Sequence, residues 1–268
     1  MTNSSGTIWI QGAGELASGV GMRLARSGYR VVMAEIENPL AVRRLVAFSE
    51  AVYGVEANVE GVPGVLVDTL DFNLHQGKVQ VLVDPEARHL AAAGAAAVVD
   101  GRMTKKTPKA LPLSGQLCIG LGPGFMCGRD ADIIIETHRG ARLGEVIHQG
   151  EAFTNTGIPG VVGGQSANRV VYSPAAGHLK PEVAIGDLVT EGQLLGTVAG
   201  EPVHARLAGL VRGLVHPKAE LSSGEKVGDI DPRGQQVNPA LVTDKALAIA
   251  GGVLEALLGA GILPPSGR

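Results

Sequence analysis

The hydrophobic residues in the first half of the chain fall into short continuous runs, and glycine or an acidic residue follows each run. Such runs lack the strict alternation of half-exposed strands and are typical of buried strands in a parallel α/β sheet. Ligands of such sheets bind beyond the carboxyl ends of the strands. We therefore expect the residues that follow the runs to converge at one edge: Glu35, Asp84, Asp100, Gly122, Gly124 and Glu136.

The first two runs enclose a glycine-rich turn. The run Thr7–Gln11 is followed by Gly12 and Gly14, then by a helix-prone segment and a second run that ends at Glu35. This order predicts a βαβ unit of Rossmann type. Gly12 would make the tight turn, Gly14 would admit a phosphate, and the helix N-terminus would face that anion. Glu35 stands where an acid binds ribose, whereas Glu15 adds unfavourable negative charge within the turn.

The pattern changes after about residue 165. Short apolar segments broken by glycine run from Val170 to Val198, and a weaker copy begins at Ala208. These quasi-repeats resemble the halves of biotinyl and lipoyl carrier domains, which predicts an all-β barrel-sandwich module. The hairpin at 200–206, where a carrier presents its lysine, contains none, so we expect no carrier function. The segment from Ala246 to Leu258 has apolar residues at helical spacing.

These patterns predict an α/β protein with two parts. Residues 6–165 would form a Rossmann-like nucleotide-binding domain with a parallel sheet. Residues 166–236 would form the barrel-sandwich module, similar to biotinyl and lipoyl carriers. Residues 237–263 would add a C-terminal helix that packs back on the first domain.

Composition narrows the classes of function. The chain has 268 residues and a net charge of −3, which gives no electrostatic basis for binding nucleic acid. No apolar run reaches the roughly 18 residues that span a bilayer, and the polar N-terminus does not resemble a signal peptide. A cytoplasmic protein without membrane contact is therefore expected. Cys118 and Cys127 do not make a metal motif, and we expect no metal site.

Several motifs together resemble one known family. They lie at Gly12–Gly19, Met33–Arg44, Phe48–Tyr53, Gly120–Phe125, Ile135–Gly140, Gly228–Gly234 and Asp244–Ala256. In this order they resemble the YqeB-type accessory proteins of selenium-dependent molybdenum hydroxylases. The resemblance implies a role in maturing or supplying such a hydroxylase, with its apoenzyme as partner, and implies no particular reaction. The implied cofactor is molybdopterin dinucleotide or another nucleotide.

The predicted binding residues surround the two glycine turns. Gly12, Gly14 and Glu35 would anchor the nucleotide. Arg43 would clamp an anion beside the second strand, and the turn from Gly122 to Gly124 would contact phosphates.

Three residues are weaker candidates for chemistry. Glu136 and His138 occupy alternate positions of an extended segment, so they share a face and could form a proton-transfer pair. Cys127 could accept sulfur or selenium if a helix N-terminus or Arg129 lowered its pKa.

The sequence favours an accessory protein that binds a nucleotide-containing molybdenum cofactor or a precursor. One alternative is an NAD(P)-dependent oxidoreductase, and a second is a non-catalytic adaptor that docks the hydroxylase. The sequence leaves homo-oligomerisation open.

Overall fold

The computed structural model describes residues 6–71, 77–104, 108–155, 163–165 and 167–265. These residues divide into two compact units. The first unit contains the described residues of Met1–Glu37, Ala47–Asn155 and Val242–Arg268. The second contains those of Asn38–Val46 and Thr156–Leu241. The chain thus leaves the first unit twice and returns to it each time.

The first unit is built on a nine-stranded sheet. Its strands are β1 (Thr7–Gln11), β2 (Arg30–Glu35), β3 (Ala57–Val59), β4 (Val62–Leu66), β5 (Val79–Val83), β6 (Ala97–Asp100), β7 (Leu117–Leu121), β8 (Ile133–Ile135) and β9 (Val146–Ile147). Their spatial order is β3-β4-β5-β2-β1-β6-β7-β8-β9. The helices of this unit are α1 (Glu15–Arg26), α2 (Leu90–Ala93) and α3 (Asp244–Gly259), and a 3₁₀ helix spans Phe48–Tyr53.

Strand β1 lies at the centre of this sheet. All five of its residues are buried, and it pairs in parallel with β2 on one side and with β6 on the other. Gln11 lies opposite Ala34 of β2 and Asp100 of β6. The ends of these three strands therefore lie level at one edge of the sheet.

The two edge strands of this sheet are antiparallel to their neighbours. Strands β3 and β4 are joined by Glu60 and Gly61, both at positive φ (48° and 87°), which is the two-residue turn of a hairpin. So short a connection cannot cross over the sheet, so the two strands must run antiparallel. The sheet is consequently mixed rather than parallel.

The second unit is made of antiparallel strands. They are β10 (Val170–Tyr172), β11 (Leu179–Pro181), β12 (Leu188–Val189), β13 (Leu194–Val198), β14 (Glu201–His204), β15 (Gly209–Leu214) and β16 (Lys226–Asp231). They form a four-stranded sheet, β10-β16-β15-β12, and a three-stranded sheet, β11-β13-β14.

The fold class predicted from the sequence, a Rossmann-like parallel sheet with a barrel-sandwich module, is wrong. The chain combines a large mixed sheet with two antiparallel sheets. Burial makes a strand continuously apolar whichever way its neighbour runs, so the runs did not reveal the antiparallel edges. Glycines that suggested carrier repeats are turn residues at positive φ, such as Gly186 (105°) and Gly192 (79°).

Helices α1 and α3 pack closely because glycines lie where they meet their neighbours. A Cβ built on Gly19 of α1 would lie 2.8 Å from the Cβ of Ala246 on α3. A Cβ on Gly252 of α3 would overlap the carbonyl oxygen of Gly144. By contrast, a Cβ on Gly251 would meet nothing within 4 Å. Of the two adjacent glycines, only Gly252 is required by packing.

Among the described residues, no helix combines the length and the apolar character needed to cross a membrane.

Substituting these adjacent glycines should change stability in opposite directions. Gly252→Ala should lower the free energy of unfolding by about 1–3 kcal/mol, because the methyl group has no room beside Gly144. Gly251→Ala should raise it by about 0.5–1 kcal/mol, because alanine favours the helix and meets open space. Urea unfolding of both variants measures the difference. Equal effects would contradict the packing described for α3.

Candidate functional site

The turn between β1 and α1 leaves open space beside its backbone. Gly12 has φ of 98°, and its N–H donates to the carbonyl oxygen of Ala34 at 2.6 Å. A Cβ there would lie 3.1 Å from the backbone of Gly101, so glycine is required by packing. Gly14 is the N-cap of α1, and a Cβ on it would meet nothing within 4 Å. Gly14 therefore exposes backbone at the N-terminus of α1.

The carboxylate of Glu35 is bound to this turn. It accepts the N–H of Ala13 at 2.7 Å and the N–H of Ile36 at 2.8 Å. Burial raises the pKa of Glu35, although these two N–H groups act in the opposite direction. The structure thus brings together Gly12, Gly14 and Glu35, which the sequence predicted as a nucleotide anchor.

The 3₁₀ helix Phe48–Tyr53 is attached to the same turn. The Ser49 N–H donates to the carbonyl oxygen of Ala13 at 3.0 Å, and the Phe48 N–H donates to the hydroxyl of Ser18 at 2.8 Å. Burial, followed by the charges of Glu50 and Glu35, raises the pKa of Tyr53 to about 12. Tyr53 is therefore a protonated phenol within electrostatic reach of Glu35. Sequence reasoning did not identify it.

Glu15 and Lys245 occupy the neighbouring N-termini of α1 and α3. The hydroxyl of Thr243, the N-cap of α3, donates to the Glu15 carboxylate at 3.3 Å and accepts the N–H of Ala246. The Glu15 carboxylate is thus held beside α3. The Glu15 carboxylate, whose charge is unfavourable to a phosphate in the turn, therefore points towards Thr243.

Lys245 is an unusual residue at this position. Burial, followed by the charge of Arg139, lowers its pKa, while Glu15, Glu136 and Asp244 act in the opposite direction. The lysine also lies in the first turn of α3, where the helix dipole disfavours a cation. Such unfavourable placement is common at functional sites. The sequence showed the motif Asp244–Ala256 but gave no reason to single out Lys245.

Two further acids lie at the same edge with partners of their own. Asp84 accepts the N–H groups of Arg88 (2.9 Å) and His89 (2.8 Å). Burial would raise the pKa of Asp84, but hydrogen bonds from His89 and Arg88 outweigh it and lower the pKa. Asp100 pairs with the guanidinium of Arg102, whose Nε lies 2.9 Å away. Both carboxylates thus stabilise the ends of their strands.

The second glycine turn is shaped by packing. Gly122 has φ of 75°, and a Cβ there would overlap the hydroxyl oxygen of Thr137. Gly124 has φ of 105°. Both glycines are needed for the turn after β7 whether or not a ligand approaches it.

Glu136 and His138 are in contact, but the Glu136 side chain binds the backbone of His138 and not its ring. The buried Glu136 carboxylate accepts the N–H of His138 at 2.6 Å and the N–H of Phe153 at 2.8 Å. The His138 ring packs against the Phe153 ring, with centroids 5.7 Å apart. A cleft of about 190 Å³ adjoins them and is lined by Glu136, Arg142, Ile147, Glu151, Ala152, Phe153 and Thr154.

Cys127 lacks the features of a reactive thiolate. Its thiol donates to the carbonyl oxygen of Ile147 at 3.3 Å. Burial, followed by the charge of Asp132, raises its pKa, although a backbone hydrogen bond from Ile134 acts in the opposite direction. Arg129, which was expected to lower that pKa, pairs with Asp130 at 2.8 Å.

Arg43 belongs to the second unit. It is buried, and its guanidinium donates to the carbonyl oxygens of Leu241 (3.0 Å) and Pro239 (3.3 Å). This side chain therefore holds backbone of its own unit. Among the described residues, no group of three or more His, Cys, Asp or Glu side chains is arranged to hold a metal ion.

The sequence is 42% identical over 254 residues to the uncharacterized protein YqeB of Escherichia coli (strain K12). The match covers 94% of this chain. The chain spans about half of that curated relative, 47% of its length. No protein-family model matches the sequence.

Solved structures give only distant likenesses. An aspartoacylase family protein from Mesorhizobium loti matches with a TM-score of 0.28 and 15% identity, over 84% of this chain and 85% of that one. A succinylglutamate desuccinylase from Silicibacter sp. TM1040 matches with a TM-score of 0.25 and 14% identity, over 85% of each chain. TM-scores this low support no argument about fold or function.

Charge substitutions around Lys245 should move its pKa in opposite directions. In the wild type, the dimethylated Lys245 amine should titrate below a dimethylated amine in open solvent, because burial lowers the pKa of Lys245. Arg139→Met should raise this pKa by removing a like charge, and Glu15→Gln should lower it by removing an opposite charge. Carbon-13 NMR of reductively methylated protein measures all three values.

Arg30→Met is the control, because Arg30 is exposed at the amino end of β2, away from the site. It should leave the Lys245 signal unchanged. Shifts of the same sign in Arg139→Met and Glu15→Gln would contradict the arrangement described.

Proposed function

We propose that the first unit binds a phosphate-bearing ligand of nucleotide type at the Gly12–Gly14 turn. The observation on which this rests is the open backbone at Gly14, at the N-terminus of α1, beside the Glu35 carboxylate. Backbone N–H groups and the helix dipole favour an anion at such a terminus. The 12 residues of α1 make it long enough for a full dipole effect.

Glu35 can contribute to recognition while bound to the turn. Each of its oxygens accepts one backbone N–H, and a carboxylate oxygen has a second lone pair. The hydroxyl groups of a ribose are donors suited to those lone pairs. The Glu15 carboxylate accepts from the Thr243 hydroxyl, which holds it beside the N-terminus of α3.

In the cell, we propose, this chain is a cytoplasmic accessory protein of a selenium-dependent molybdenum hydroxylase. The motifs along the chain, which resemble those of YqeB-type accessory proteins, support this role. The ligand would then be a nucleotide-containing molybdenum cofactor or its precursor, and the apoenzyme would be the partner. The structure contributes the open turn at Gly14 beside Glu35 to this proposal, and the proposal includes no reaction.

Mass spectrometry of the anaerobically purified protein, native and then denatured, tests the ligand. A co-purified mass of a pterin dinucleotide, or one bearing molybdenum, is the expected result. Co-purified NAD(P) would support an oxidoreductase instead. Protein that is empty and binds none of ADP, GDP, CDP, UDP, NAD⁺ or NADP⁺ would contradict the nucleotide site and favour an adaptor.

Placing a carboxylate at Gly14 should abolish binding without unfolding the protein. Gly14 has an extended backbone (φ −71°, ψ −179°) with open space around it, so aspartate fits there but repels phosphate. We expect at least about a tenfold loss of affinity, since a charge-assisted hydrogen bond contributes roughly 1.5–3 kcal/mol. Calorimetric titration with whichever nucleotide binds the wild type measures this.

Gly259→Asp is the matched control. Gly259 also has open space around it, and it lies at the far end of α3, about 21 Å from Lys245 along the helix. It adds the same charge to the same unit and should leave affinity unchanged. Wild-type affinity in Gly14→Asp would refute the assigned site.

A further inference from the structure

The second unit contains a network of buried charges that the proposed function does not use. Asp229 and Asp231 are alternate residues of β16, and both are buried. Arg169 binds Asp229 with its Nη1 2.5 Å from Oδ1. Arg233 binds Asp231 with its Nε 2.9 Å from Oδ1 and its Nη2 2.8 Å from Oδ2. Each carboxylate thus has an arginine at hydrogen-bonding distance.

Arg212 is a third guanidinium in the same network. Its Nη1 lies 3.7 Å from Asp229 Oδ2 and 3.8 Å from Asp231 Oδ2, which is too far for hydrogen bonds. Its Nε is buried and has no hydrogen-bond partner in the described part of the chain. Only 10% of the side chain is exposed. A buried guanidinium with an unsatisfied donor is costly.

The backbone directs Arg212 into this position. The pairing of β15 with β16 shifts register between Val211 and Gly213, so Arg212 is the residue of a β-bulge. Bulges re-aim a side chain and are frequent beside functional sites. The strand departs from regular pairing at the residue whose hydrogen bonds are incomplete.

The carboxylates around Arg212 are fewer than the guanidinium groups. Positions 156–162 and 166, which lie outside the described part of this unit, contain no Asp or Glu in the sequence. Within the described part, the carboxylates within 4.0 Å of Arg212 are Asp229 and Asp231. The five residues of the network therefore hold three guanidinium groups and two carboxylates.

We infer that Arg212 is the anchor of a second binding site, for a small oxyanion such as a carboxylate or phosphate group. The planar fork of arginine suits these groups, which accept two parallel hydrogen bonds. A bound anion would supply the third negative group beside Asp229 and Asp231. This site is independent of the Gly12–Gly14 turn, which belongs to the first unit.

Binding of inorganic phosphate and of acetate to the full chain tests this inference. We expect saturable binding in the wild type, measured by calorimetric titration at constant ionic strength maintained with sodium chloride. Arg212→Met should weaken it at least about tenfold, because the charge-assisted hydrogen bonds are lost. Arg206→Met should not, because Arg206 is exposed in the same unit and loses the same charge.

The Gly14→Asp variant separates the two sites. Phosphate bound at the turn of the first unit should be lost in Gly14→Asp and kept in Arg212→Met, whereas binding at Arg212 should behave in the opposite way. Binding of both acetate and phosphate would identify a general oxyanion site. Binding of phosphate without binding of acetate would identify a phosphate site. Either result supports the inference.

Two results would overturn it. One is a wild type that binds neither anion beyond what chloride explains. The other is binding that survives equally in Arg212→Met and Arg206→Met. Should Arg212→Met not fold, Arg212→Lys replaces it, because lysine keeps the charge but lacks the planar fork. Undiminished binding in Arg212→Lys would then take the place of the second result.

Discussion

The burial of β1 between two parallel neighbours is the constraint on which the first unit depends. Every residue of β1 is buried, and the register of its parallel pairing with β2 and β6 brings the ends of the three strands level. The turn that follows is then confined by Gly101, which requires glycine at position 12. Helix α1 begins immediately afterwards, with its N-terminus at the carboxyl edge of the sheet.

Negative charge at this edge is arranged to leave the turn open. Glu35 is fixed by the Ala13 N–H, and Glu15 accepts from Thr243. Asp84 and Asp100 are occupied by His89 and Arg102. Each of these carboxylates therefore accepts hydrogen bonds from donors of the protein itself. The partly buried Lys245 lies beside Glu15 and adds positive charge.

Some of this arrangement could be predicted from the sequence because it depends on local patterns. The apolar runs predicted the central strands. The glycine turn, with an acid at the end of β2, predicted that Gly12, Gly14 and Glu35 lie close together. The direction of the edge strands was not predictable from burial alone, and the fold class was consequently wrong. It depends on hairpin connections such as Glu60–Gly61, which hydrophobic runs do not record.

Residues that act through distant contacts were also missed. The charge of Glu15 acts on Lys245 because α3 packs on α1, and this packing requires glycine at position 19. Arg43 looked like an anion clamp from its position after β2, yet its guanidinium binds carbonyl oxygens near residue 240 of the second unit. Arg212 gave no signal in sequence, because its incomplete hydrogen bonds follow from a bulge in β15.

A nucleotide bound at the turn of the first unit should protect the backbone amides of that turn from solvent. Hydrogen–deuterium exchange of the full chain, with and without a nucleotide that it binds, measures this protection. We expect slower exchange in the peptide that covers the end of β1, Gly12–Gly14 and the first turn of α1. Protection confined to the second unit, with exchange at this turn unchanged, would contradict the proposed site.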